Sequence, residues 1–213
     1  MGKHENVKLV KNTVNDGIYI KKTLKNYNIE IYKILKNRQI KGIPKVYEII
    51  EDEKELIIIE EYIHGLTLDK KYNKTDVETV KKIMEQLCNI LKQLHNMNPP
   101  IIHRDIKPTN IIVSNDDVVY LVDFNISREY DENQSVDTVI MGTQGYASPE
   151  QCGFAQTDCR SDIYSIGMLM KNILMVDEYP DKETKSLKRI IDKCTSIDPE
   201  KRYKNIEKLE QAL

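Results

Sequence analysis

The stretch IIHRDIKPTN, Ile101 to Asn110, decides the reading of this chain. It sets His103, Arg104, Asp105, Lys107 and Asn110 close together behind a pair of isoleucines. A carboxylate, an ammonium and an amide so near one another have a joint use. Asp105 can orient a hydroxyl nucleophile and accept its proton. Lys107 can neutralise a phosphoryl oxygen, and Asn110 can hold a divalent cation. Downstream, Ile111-Ile112-Val113, a turn at Ser114-Asn115-Asp116-Asp117 and a strand over 118–122 predict a hairpin. That hairpin returns a second carboxylate, Asp123, to the first loop. Two acidic groups and an amide around a divalent ion are equipment for phosphoryl transfer.

Around this centre the pattern changes character once. Val7-Lys8-Leu9-Val10 and Ile18-Tyr19-Ile20 flank Asn15-Asp16-Gly17, a hairpin signal. Ile29 to Leu35 has helical apolar spacing and is broken by Gly42-Ile43-Pro44. Val46–Ile50 and Leu56–Ile59 predict two more strands around a charged turn. From Thr75 the period becomes helical: Val77, Val80, Ile83, Met84, Leu87, Ile90, Leu91 and Leu94 recur at three- and four-residue steps. Thr75 and Glu78 have capping-box spacing. Further helices are predicted from about Ile163 to Met175, over Leu187–Cys194 and over Ile206–Leu213. The chain therefore reads as α+β: a small antiparallel β-rich lobe over 1–62 and a helical lobe over 63–213, joined near Glu61-Tyr62-Ile63.

Composition narrows the partners. The 213 residues are 40% hydrophobic and 31% charged, ordinary for a globular chain. Lys+Arg 32 against Asp+Glu 34 gives a net charge of -2, which excludes the basic excess of a general nucleic-acid binder. Cys88, Cys152, Cys159 and Cys194 form no paired zinc-ligand spacing and read as reduced thiols of a cytoplasmic protein. MGKHENVKLV lacks the apolar core of a secretory signal, and Asn6 stands where a myristoylation site wants Ser or Thr. No stretch approaches the roughly 20 apolar residues of a membrane span, so no membrane partner is expected.

The motifs together resemble a eukaryotic-type (Hanks-type) Ser/Thr protein kinase, with wording most similar to bacterial members. HRDIKPTN is similar to the catalytic loop HRDLKxxN; DFN, Asp123-Phe124-Asn125, to the metal-binding DFG. GTQGYASPE over 142–150, RSDIYSIG over 160–167 and DPEKR over 198–202 follow in the family's order. The resemblance implies one bilobal kinase domain over 1–213 that uses ATP and Mg2+ on Ser or Thr of a protein substrate. It implies Asp105 as the group that orients or deprotonates the hydroxyl, Lys107 on the γ-phosphate, and Thr143 bonded to both. It implies Asn110 and Asp123 as the Mg2+ ligands. Val7, Tyr19, Glu61, Ile63 and Ile112 are expected around the nucleotide, and Lys21 on its α- and β-phosphates with Glu30 as partner. Glu150 is expected to pair with Arg202, Asp162 to hold the catalytic-loop backbone, and His103, Phe124, Ile34 and Val46 to stack in one column.

Several positions depart from the family. Reading Ile18-Tyr19-Ile20-Lys21 as the VAIK strand puts both isoleucines on one face and Tyr19 and Lys21 on the other. The competing readings are a solvated Lys21, or Lys22 as the pairing residue. Tyr19 then stands where a small Ala faces the adenine. Only Gly2 falls on a glycine-loop position, Glu5 replaces another, and the family's first strand has no counterpart in these 213 residues. Glu60 takes the gatekeeper position, where a buried carboxylate needs a partner, and Asn125 replaces a glycine. Autophosphorylation is expected at Ser135 or Thr138, with Arg104 as receiver of the phosphate. The alternative function is a pseudokinase, a binding scaffold with weak or no catalysis. Substrate protein and oligomeric state are not encoded in any motif.

Overall fold

The computed structural model describes residues 6–25, 27–52, 54–72, 75–132, 141–153, 155–174 and 182–213. Gly2, Glu5, Ser135 and Thr138 lie outside the described residues. β1 (Val7–Lys11) and β2 (Ile18–Leu24) form the first hairpin. The Asn12 side chain accepts from the amides of Val14 and Asn15, and Asp16 turns the chain at φ 57°. β3 (Val46–Glu51) and β4 (Leu56–Glu61) complete an antiparallel sheet of order β1-β2-β4-β3. α1 (Ile29–Asn37) lies between β2 and β3 in the chain and buries Ile31, Tyr32 and Leu35. Asn28 caps it by accepting from the Glu30 amide.

The larger part is helical. β5 (Gly65–Thr67) and the one-turn α2 (Leu68–Lys71) lead to α3 (Val77–His95). Asp76, not Thr75, caps α3: its carboxylate accepts from the Thr79 amide at 2.8 Å and from the Thr79 hydroxyl at 2.7 Å. A carboxylate at a helix N-terminus also meets the positive end of the dipole, which a hydroxyl cannot match. β6 (Ile101–Ile102), β7 (Ile111–Ser114), β8 (Val119–Leu121) and β9 (Arg128–Glu129) frame the loop that carries the chemistry. β5, β7 and β8 make one small sheet, and β6 pairs with β9. α4 (Cys159–Leu174), α5 (Lys182–Cys194) and α6 (Ile206–Glu210) pack below. Their predicted counterparts start later or run longer, because the apolar stripe marks the packed face and not the helix ends.

One core runs through both parts, from Leu24, Tyr32 and Ile58 above to Leu87, Ile106, Ile166 and Leu209 below. The seam is tied at Gly42, whose carbonyl accepts from the Leu121 amide at 2.8 Å. The four cysteines are free, and burial pushes the Cys88 thiol up to about 12. No helix among the described residues is long and apolar enough to cross a membrane.

Candidate active site

The 103–110 loop is fixed from below by one buried carboxylate. Asp162, in the first turn of α4, accepts from the backbone amides of His103 and Arg104 and contacts His95 Nε2, each at 2.9 Å. Burial opposes its charge, but His95, His103 and the backbone donors outweigh that and hold it below the ordinary carboxylate range. Arg104 adopts φ 69°, a strained left-handed conformation for a residue with a side chain. It is held on both sides, by Asp162 at its amide and by Gln151 Nε2, which donates to its carbonyl at 2.8 Å. Gln151 is itself buried and also donates to the Met141 carbonyl at 2.9 Å.

Above this floor the expected groups converge. Lys107 Nζ donates to Asp105 Oδ2 at 2.5 Å and to Thr143 Oγ1 at 2.7 Å, and Thr143 Oγ1 donates to Asp105 Oδ1 at 2.6 Å. Asn110 Nδ2 donates to the carbonyl and to Oδ2 of Asp105, both at 2.9 Å. That orients the amide oxygen of Asn110 for other work. The Asn110 carbonyl accepts from the Val122 amide at 2.9 Å, which brings the next residue, Asp123, beside the loop. Asp123 adopts φ 70°, and its Oδ1 is buried without a hydrogen-bond partner. An orphaned buried carboxylate oxygen beside an oriented amide fits a hard cation, which takes oxygen ligands.

His103 lies between these acids. Its Nδ1 accepts from the Asp105 amide at 3.3 Å, and its Nε2 donates to the Val122 carbonyl at 3.2 Å, a pattern that suits the neutral ring. Burial lowers its pKa although Asp162, Asp105 and Asp123 all pull it up. The ring stacks edge-on against Phe124 at 4.7 Å. Val46 is buried, whereas Ile34 sits at the margin of the packed face of α1. Glu150 and Arg202 form the expected buried fork, with oxygens 2.6 and 2.9 Å from the guanidinium.

The smaller sheet corrects three expectations. Lys21 and Glu30 are not brought together: Glu30 is exposed and pairs with Lys33 at 2.8 Å, and Lys21 makes no ion pair among the described residues. Lys22 is the inward lysine, 7% exposed, with Nζ 2.6 Å from Glu60 Oε1. Tyr19 does not face inward with it. Its ring meets Tyr47 edge-on at 5.1 Å on the opposite face of β2, and Ile20 shares the face of Lys22. The reason is strand alternation: Ile18, Ile20, Lys22 and Leu24 form one face, and the buried end of that face carries Lys22 and Leu24. Val7 pairs with Lys22 in register, Ile112 lies on β7, Ile63 is buried after β4, and the Glu61 carboxylate accepts from the Lys45 amide at 3.1 Å.

Sequence reasoning missed Tyr32 and Gln151. Tyr32 Oη donates to Asn125 Oδ1 at 2.6 Å, joining α1 to the segment after Asp123. Burial raises its pKa well above the usual phenol value, with the charges of Glu60 and Asp123 adding to the rise. An aromatic residue on a helical apolar stripe carries no sign that its hydroxyl is used. The signal for Gln151 was only its place after Pro149-Glu150.

Residues 2–212 match the protein-family model described as Protein kinase domain. Among curated proteins, the chain is 30% identical over 195 residues to serine/threonine-protein kinase D of Synechocystis, covering 80% of this chain and 38% of that protein. It is 30% identical over 190 residues to a probable serine/threonine-protein kinase of Clostridium acetobutylicum, covering 77% and 29%. It is 36% identical over 121 residues to serine/threonine-protein kinase PknB of Mycobacterium tuberculosis, covering 55% and 19%. The chain thus spans well under half the length of the curated relatives it matches.

Proposed function

The chain belongs to the protein kinase domain family, and from that premise we propose that it transfers the γ-phosphoryl group of ATP to Ser or Thr hydroxyls of protein substrates. ATP and a divalent metal are the family's requirements, and Mg2+ is the metal proposed here. Residues 1–62 form the smaller lobe of that domain and residues 63–213 the larger.

Asp105 is proposed to orient the acceptor hydroxyl and take its proton. Thr143 and Lys107 hold its two oxygens, so the carboxylate is aimed before any substrate arrives. Lys107 neutralises charge on the transferring group. The Asn110 amide oxygen and Asp123 would hold Mg2+, which when bound screens the phosphate charges. The observation that carries the reading is the closed triangle of Asp105, Lys107 and Thr143 with Asn110 on its flank. Tyr19 lies on the face of β2 opposite to Lys22, against Tyr47, and so leaves the Lys22 side clear.

The test is incubation of the full chain with Mg2+-ATP, followed by intact mass and ADP release. Phosphate gain or ADP release is expected from the unmodified chain, with Asp105→Asn slower by about 10²–10⁴-fold. Equal rates for both would remove Asp105 from the role given to it.

A further inference from the structure

We propose that Glu60 is the positioning residue that aims the Lys22 ammonium at the phosphates of the bound nucleotide, a task the family gives to a carboxylate on the helix of the smaller lobe. The proposal rests on the phosphotransfer reading above and adds a residue to it.

The argument starts from burial. An ammonium and a carboxylate each 7% exposed are costly alone and are tolerated because they meet, Nζ to Oε1 at 2.6 Å. Both stand on neighbouring strands of one sheet. Ile20 is opposite Glu60 in the β2–β4 register, so Lys22 and Glu60 are diagonal neighbours on one face. The helix offers nothing in exchange. The packed face of α1 is Ile31, Tyr32 and Leu35, and its carboxylate, Glu30, points to solvent and holds Lys33.

The pair also stands beside the reacting groups. Tyr32 Oη is bonded to Asn125, and the same phenol feels the charges of both Glu60 and Asp123. Glu60 and Asp123 are therefore both near the one phenol, and Glu60 holds Lys22 there. An ammonium has three donors. Glu60 occupies one and leaves two for phosphate oxygens. Without Glu60 the four-carbon stem has no fixed direction. Because the partner lies in the sheet, displacement of α1 would leave Lys22 in place.

The experiment uses the full chain with Mg2+-ATP, reading ADP release at saturating nucleotide, ATP affinity by calorimetry, and melting temperature. Glu60→Gln is expected to slow release by about 10²-fold, since misplacement of a charged group by an ångström acts on the transition state. Its ATP affinity should change by less than about threefold. Glu60→Asp keeps the charge but shortens the reach, and should fall between the two. Lys22→Met/Glu60→Gln should be no slower than Lys22→Met, because one removed function cannot be removed twice. Folded Glu60→Gln or Glu60→Asp protein with the unmodified rate would overturn the proposal, leaving the pair a structural one.

A separate arm needs no turnover. An acyl-phosphate derivative of ATP acylates a lysine at the phosphates, its amine forming an amide as the nucleotide phosphate leaves with the proton. Labelling at Lys22, reduced at least about fivefold in Glu60→Gln, is expected; labelling at Lys21 instead would overturn the assignment. A chain that takes up ATP but releases no ADP would sink the phosphotransfer reading alone, and this arm would still decide the pairing. A chain that takes up no ATP would sink both.

Discussion

His95 is a buried imidazole under the 103–110 loop, bonded to Asp162. Burial works against its proton, yet Asp162 and Cys159 together raise its pKa to about 10. A folded value above the unfolded one stabilises the protein fully below about pH 6.5, and that contribution is lost as pH rises toward the folded value. The melting-temperature gap between the unmodified chain and His95→Gln should therefore be widest below about pH 6.5 and close toward pH 10. A gap independent of pH would mean that folding leaves the affinity of the ring for its proton unchanged. Asp162 contributes in the opposite sense: its lowered pKa stabilises above the ordinary carboxylate range and fails as pH drops through it. At this scale the 103–110 loop was legible, because several unlike polar groups in one short segment rarely serve packing. Lys22 was not. Two adjacent lysines offer either face, and only the continuation to Leu24 marks the one on which Lys22 interrupts an apolar series. A lysine within an apolar face needs a partner, and Glu60, already noted as a carboxylate out of place, supplies it.

Among the elements, the Pro149–Cys152 turn depends on Arg202 from the far end of the chain. The guanidinium forks onto Glu150, which also accepts from Ser161 at 2.7 Å. Burial pushes the Glu150 carboxyl up, but these donors win and hold it below its usual value. Removing one partner of a buried pair leaves the other charge stranded, so Arg202→Ala should cost about 3–5 kcal/mol in denaturant unfolding. Arg202→Lys should recover only part of this, since a point charge cannot reproduce the fork. The sequence carried this pair only through the family's motif order; 52 residues separate its members and no local pattern joins them. Helix existence was legible from the apolar stripe, and helix starts were less so. Thr75 and Asp76 are both good caps, and the choice between them is made by which side chain meets the Thr79 amide.

For the whole molecule, the decisive seam is the loop around Gly42. It stands at φ 87°, and a methyl group there would meet Ile90 of α3 at 2.5 Å and the Val119 carbonyl at 3.2 Å. Gly42→Ala would strain the backbone and push the small sheet away from α3. A loss of about 1–3 kcal/mol is expected, with a matching drop in ADP release because the Leu121 amide loses its fixed acceptor two residues before Asp123. Unchanged unfolding and unchanged release would show that the seam gives way without cost. The Tyr32–Asn125 bond crosses the same seam, and its consequence is pharmacological. An inhibitor that must displace Asn125 from α1 has first to sever a 2.6 Å bond and strand a buried phenol. A competitor shaped to the cleft as it stands meets no such toll, so a compound screen against this chain should favour flat purine mimics over wedge-like ligands.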